Sequence, residues 1–200
     1  MAKIKICGLF READAGFVNE AKPDFAGFII DVPFSKRCID YKKAFKLREL
    51  IDNNIQTVGV FINCDLQKVA KLANDGIINI VQLHGSEDEQ YIGSLRTLCP
   101  NTEIWKAFVI KSKSDIDAAQ KSSADKILLD SGTGCGKTFD WSSVSGIKRD
   151  FILAGGLDSQ NIPKAIEQVA PWAVDLSSGV ETDSVKDRTK ILAAVKAARL

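Results

Sequence analysis

Short apolar runs recur along the chain at intervals of roughly 20 to 30 residues, the spacing of repeated strand–helix units. They are Ile4–Cys7, Phe25–Ile30, Thr57–Ile62, Ile80–Leu83, Ile104–Ile110, Ile127–Leu129, Phe151–Ala154 and Trp172–Leu176. Near-continuous apolar runs of this length, closed by a polar residue or glycine, suit strands buried on both faces of a parallel sheet. The segments between them carry a helical period. Leu66, Val69, Ala70 and Ala73 fall on one face at i, i+3, i+4 and i+7, and Ile191 to Leu200 supplies a closing helix. Asp65, Ser86, Ser114 and Ser159 stand just ahead of helical patterns as N-caps. Eight strands alternating with eight helices leave two architectures, a closed (β/α)8 TIM barrel or an open doubly wound sheet. Eight parallel strands close naturally, so the pattern predicts an α/β fold: one compact barrel over residues 1–200 with short loops.

Closure places every strand end at one mouth. Cys7-Gly8, Asp31, Asn63, His84-Gly85, Asp130, Gly155-Gly156 and Ser177-Ser178-Gly179 are then expected to ring it. In such folds chemistry collects at the C-terminal ends of strands. Asp130 follows an apolar run directly and precedes Gly132, Gly134 and Gly136, which makes it the first candidate for an acid. To donate a proton it must be kept protonated by burial away from cations. Cys7 ends the first strand beside a glycine. A thiol there is either a small buried hydrophobe or, given a neighbouring positive charge, a base. Gly155-Gly156 and Ser177-Ser178-Gly179 close strands seven and eight, where barrels commonly grip phosphate. Asp175 and Glu181 lie beside the second of these loops, as orienting or merely structural groups. Arg37, in the loop after the second strand, suits a carboxylate if it faces the cleft. His84 is the one histidine in the chain and has no partner at metal-ligand spacing, so no metal is expected.

Composition narrows the classes. With 27 basic and 26 acidic residues, the net charge of +1 offers no general field for nucleic acid or an acidic membrane. Five cysteines, with no CxxC pair, argue against a disulfide framework or a structural zinc site. No signal segment or membrane-length apolar run is read, which points to a cytoplasmic protein. The stretch Gly132-Thr-Gly-Cys-Gly-Lys-Thr138 invites a P-loop reading, but Ser131 stands where the pattern needs its first glycine. Phe139-Asp-Trp141 then replaces the immediate helix.

Taken in order, these segments resemble the phosphoribosylanthranilate isomerases of tryptophan biosynthesis. The resemblance rests on Lys5-Ile-Cys-Gly-Leu9, Gly27-Phe28 with Ser35-Lys-Arg37, Gly59-Val-Phe61 and Gln82-Leu-His-Gly85. It continues through Leu128-Leu-Asp130 with Gly136-Lys-Thr-Phe-Asp-Trp141, Leu153-Ala-Gly-Gly-Leu157 and Asp175-Leu-Ser-Ser-Gly-Val-Glu181. It implies an Amadori rearrangement of N-(5-phosphoribosyl)anthranilate to the 1-(carboxyphenylamino)-1-deoxyribulose 5-phosphate. Asp130 is implied as general acid, Cys7 as general base and Arg37 as the partner of the anthranilate carboxylate. His84 and Asp175 are expected to line the substrate, and Gly155, Gly156, Ser177, Ser178 and Gly179 to hold its phosphate. No cofactor is implied, since the iminium intermediate is its own electron sink. The expected partner is this small phosphosugar-anthranilate, with the protein a monomer or homodimer. Phe10, Lys36, Cys135 and Ser184 depart from the family pattern without removing a catalytic group. The rival readings are a different sugar-phosphate barrel enzyme (an epimerase or indoleglycerol-phosphate synthase) and a non-catalytic nucleotide-binding module. The synthase lacks an obvious set of catalytic lysines, with Lys106 as the mid-strand candidate.

Overall fold

The computed structural model describes residues 1–132, 141–144 and 146–200. Eight parallel strands form its centre: β1 (Lys3–Cys7), β2 (Phe25–Ile30), β3 (Gln56–Phe61), β4 (Ile80–Leu83), β5 (Glu103–Val109), β6 (Lys126–Asp130), β7 (Phe151–Ala154) and β8 (Ala173–Leu176). Each pairs with the next, and β1 pairs with both β2 and β8, through Lys5↔Phe25 and Lys5↔Asp175. The sheet therefore has no edge at this seam, and the open doubly wound alternative is excluded. A two-residue strand, Cys38–Ile39, adds to β2 outside the ring.

Strand alternation sorts the side chains into two cores. Ile4, Ile6, Ala26, Phe28 and their equivalents point outward and pack under the helices. Phe25, Val58, Ile80, Trp105, Leu128, Ile152 and Ala173 point inward and fill the barrel floor. Phe25, Trp105 and Trp172 stack there with centroids 5.0 to 6.0 Å apart, and the Lys3 and Lys126 ammonium groups sit over Trp172 at 4.6 and 4.8 Å. Such aromatic and cation–π contacts plug the N-terminal end, so ligand access is from the opposite mouth.

Seven α-helices are present among the described residues: α1 (Glu12–Ala21), α2 (Tyr41–Leu50), α3 (Leu66–Asn74), α4 (Glu89–Leu98), α5 (Lys113–Lys121), α6 (Ile162–Val169) and α7 (Arg188–Ala198). This corrects the expected eight. After β6 the described residues hold a single 3₁₀ turn, Trp141–Val144, followed closely by Gly146 at φ 92°. Its four residues, Trp-Ser-Ser-Val, make only about one 3₁₀ turn. Asp65 caps α3 as expected, accepting from the Gln67 and Lys68 amides. The other three expected caps are each displaced by two residues. Asp88 replaces Ser86, Ser112 replaces Ser114, and Asn161 replaces Ser159. Ser86 is instead bonded to Asn63, and Ser114 lies inside α5. Among the described residues no helix is long and apolar enough to cross a membrane.

Candidate active site

At the C-terminal mouth lies a cavity of about 450 Å³. It is lined by Cys7, Arg37, His84, Asp130, Gly155, Gly156, Asp175, Ser177, Ser178 and Gly179, together with Gln82 and the apolar Ile29, Val60, Ile62 and Ala154. All ten residues singled out in the sequence meet there. Four expected rim positions, Gly8, Asp31, Asn63 and Gly85, do not line it. Asp31 turns outward to Lys68 at 3.7 Å, and the Asn63 side chain accepts from the Ser86 amide and hydroxyl at 2.8 and 2.9 Å. Both take positive φ, at 54° and 49°. Gly134, Cys135, Gly136, Lys137, Thr138 and Phe139, expected as part of the glycine loop, lie outside the described residues.

Asp130 ends β6 and is half-buried. Its Oδ1 accepts from the Gly132 amide at 3.0 Å, and its Oδ2 faces His84 Nε2 at 3.6 Å. Burial raises its pKa, but His84, the Gly132 N–H and Ser131 outweigh it and hold the carboxyl below the usual carboxylate range. These donors favour the ionised Asp130, contrary to the expectation of a carboxyl held protonated by burial. Gln82 Nε2 lies 3.0 Å from His84 Nδ1 and steadies the ring.

Around Cys7 the sequence reading missed the governing residue. Lys5 points into the lumen, is fully buried, and bonds both Asp175 oxygens at 3.0 and 2.9 Å. A Cβ on Gly27 would meet Cys7 Sγ at 2.9 Å and Lys5 Cε at 3.0 Å, so glycine leaves the room these two groups share. Burial pushes the Cys7 thiol up and Asp175 adds to this, while Lys5 and Lys186 pull down; the result stays above the ordinary thiol value. For Lys5 the order reverses: burial opposes the charge, but Asp175 and Cys7 hold its pKa above the ordinary ammonium value. Asp175, expected to orient a loop, is thus the counter-charge of Lys5. Lys106, the mid-strand lysine considered for a synthase, does not line the cavity; it bonds Gly85 O and Glu87 at 2.7 and 2.9 Å.

Arg37 reaches the rim, but its Nε and Nη2 are both engaged by Glu181 at 2.6 Å. A free bidentate grip on a ligand carboxylate is therefore not preformed; Nη1 is the nitrogen with no hydrogen bond among the described residues. Glu181 also accepts from Lys186, whose Nζ donates to Ser177 O at 2.9 Å. Burial raises the Glu181 pKa, yet these two cations hold it below the usual range. The antiparallel pair Glu181–Thr182 with Val185–Lys186 carries this network. Lys186 carried no sequence signal beyond its charge.

The loops after β7 and β8 interlock. Gly155 and Gly156 take φ 91° and 65°, where side chains are strained, and their amides donate to no described group. A Cβ at Gly179 would stand 1.9 Å from Leu157 O. Gly179→Ala is therefore expected to force the two loops apart, lowering affinity for a phosphorylated ligand about tenfold or more while far-UV circular dichroism stays native. Titration with inorganic phosphate, followed by calorimetry, checks this.

A closed barrel with a carboxyl and a thiol across one opening, and glycine loops at strands seven and eight, belongs with enzymes that move protons on phosphorylated sugars. The sequence model for N-(5'phosphoribosyl)anthranilate (PRA) isomerase matches residues 4–197. The N-(5'-phosphoribosyl)anthranilate isomerase of Endomicrobium trichonymphae is 47% identical over 204 residues, covering 100% of this chain and 99% of the relative. The solved phosphoribosyl anthranilate isomerase of Thermotoga maritima superposes with a TM-score of 0.90 at 34% identity, over 100% of this chain and 99% of that one. A second solved isomerase, in complex with reduced 1-(o-carboxyphenylamino)-1-deoxyribulose 5-phosphate, gives 0.87 at 33% identity with the same coverage. The chain belongs to the phosphoribosylanthranilate isomerase family.

Proposed function

We propose that this chain converts N-(5-phosphoribosyl)anthranilate to 1-(2-carboxyphenylamino)-1-deoxyribulose 5-phosphate, an aldose–ketose isomerisation in tryptophan biosynthesis. Asp130 protonates the ribose ring oxygen, and the C1–O bond breaks to give an iminium at C1. The Cys7 thiolate then removes the proton from C2, and the electron pair neutralises the iminium as an enolamine. Tautomerisation of the enol gives the ketone. Each positioned acid or base contributes about 10²–10⁴-fold. The Gly155-Gly156 and Ser177-Ser178-Gly179 loops offer amides and hydroxyls to the phosphate. Arg37 meets the anthranilate carboxylate through Nη1, with Glu181 as its brace, and His84 and Asp175 line the remaining wall.

The observation that supports this reading is that Cys7 and Asp130 line one cavity, from strands that the sequence separates by more than a hundred residues. We further propose a monomer or homodimer at work in the cytoplasm; for the Thermotoga maritima isomerase, a dimeric form and monomers generated from it are described. The test uses freshly prepared N-(5-phosphoribosyl)anthranilate, whose fluorescence disappears on rearrangement. Rapid loss with the purified protein is expected. A folded protein that leaves the signal at the uncatalysed rate sinks the reading, and ATP binding abolished by Lys137→Ala points to the nucleotide module instead.

A further inference from the structure

Lys5 is a full positive charge inside the barrel, and the reaction steps above give it no work. Its position is specific. It lies two residues before Cys7 on the same face of β1, and it pairs in register with Asp175 on β8. Its ammonium bonds both Asp175 oxygens, at 3.0 and 2.9 Å, and its Cε and the Cys7 Sγ converge over Gly27. Burying an ion pair of this kind does little for stability, because the desolvation cost roughly cancels the attraction. A buried lysine retained beside a thiol therefore calls for a chemical reason.

We infer that Lys5 is the cation that receives the negative charge of the Cys7 thiolate, with Asp175 fixing its position, so that Lys5 is a positioning residue for the base. This rests on the isomerase reading for its catalytic consequence, while the charge coupling stands by itself. As Cys7 loses its proton, the Lys5 ammonium is shared between Asp175 and sulfur. As the thiolate takes the C2 proton, the ammonium returns wholly to Asp175. Other charged groups facing Cys7 are Asp175 from β8, Lys186 from the hairpin after β8, and Arg37 from the loop after β2. Of the three cations, Lys5 acts most strongly on the thiol.

Two measurements test the inference. Lys5→Met alone strands the Asp175 charge and risks unfolding, so the variant of choice is Lys5→Met with Asp175→Asn, which removes both charges. Thiolate absorbance near 240 nm, taken as a difference against Cys7→Ser in the same background, reads the Cys7 titration directly. Because Asp175 opposes Lys5 at the thiol and is lost with it, the midpoint is expected to rise by the remaining excess of the Lys5 effect, about a few tenths of a pH unit or more, with kcat/KM at neutral pH reduced about 10- to 10³-fold. An unmoved midpoint, or a raised midpoint with wild-type kcat/KM, overturns the role. The second measurement needs no Lys5 variant. In the wild-type protein the ¹⁵N resonance of Lys5 Nζ is expected to shift at the pH where the 240 nm signal rises, and to lose that step in Cys7→Ser. A step that survives Cys7→Ser also overturns the inference. A wild type that shows the coupled titration but no turnover of phosphoribosylanthranilate sinks the isomerase reading and leaves the coupling standing.

Discussion

Asp130→Asn is expected to lower kcat by about 10²–10⁴-fold, because the ring-opening step loses its proton donor. The substitution preserves shape, and the amide oxygen still accepts the Gly132 N–H that Asp130 accepts at 3.0 Å. Circular dichroism should therefore match wild type. The expected change in stability has a definite sign. The folded carboxyl lies below the usual carboxylate range, so its contribution is present above the unfolded value of about 3.9 and is lost as pH falls through the folded one. The asparagine variant should melt somewhat lower than wild type at pH 7, and the gap should close below about pH 4. Fluorescence assays of turnover and thermal melts across pH check both halves. Turnover at wild-type rate removes Asp130 from the reaction.

Cys7→Ala is expected to lose a similar factor, about 10²–10⁴ in kcat, with little change in folding. The side chain is small and buried among groups that do not depend on it for hydrogen bonding, except for the Lys5 charge. The pH dependence is the more searching test. Asp130 is held below and Cys7 above its ordinary range, so at neutral pH the pair carries one proton, on sulfur. The reacting form also carries one proton, on the carboxyl. Because the two forms have the same proton count, kcat/KM should be nearly flat from about pH 5 to pH 8. It falls in acid, where both groups are protonated and no base remains, and in alkali, where both are ionised and no acid remains. A profile rising tenfold per pH unit through neutrality would mean that the thiol works without a protonated Asp130. The substrate itself helps the internal transfer, since its phosphate and carboxylate bring negative charge that disfavours a carboxylate at Asp130.

Much of this was readable in the residues. The runs Phe25–Ile30, Ile80–Leu83 and Phe151–Ala154 coincide with strands β2, β4 and β7, because fully buried parallel strands leave unbroken apolar segments. The meeting of Cys7 with Asp130 followed from barrel closure alone. What escaped was the charge inside. Lys5 sits in an alternating Lys-Ile-Lys-Ile-Cys segment that reads as a half-exposed strand, and nothing local says that its lysine face is the lumen. The available signal was long-range: Lys5 precedes Cys7 by two, and Asp175 precedes Ser177 by two, on strands that closure makes neighbours. Asp65 caps α3 as expected, while Ser86 lost its place for a different reason. Ser86 and Asp88 both suit an N-cap, and the choice between them is made by Asn63, which holds Ser86 in the preceding loop. Asp130 went wrong in degree of ionisation because the opposing donor, His84, arrives from another strand.

The seam between β1 and β8 has a consequence for biogenesis. The thiol and its ammonium neighbour hang on the earliest strand made, while the carboxylate that steadies that ammonium hangs on the latest. A nascent chain that has not yet docked its final quarter holds Cys7 beside a hydrated lysine that has no Asp175 to fix it, so the charge arrangement inferred for the base is incomplete. On this inference activity arises with ring closure, and half-barrels made as separate polypeptides are expected to stay inert until they are mixed and recombine.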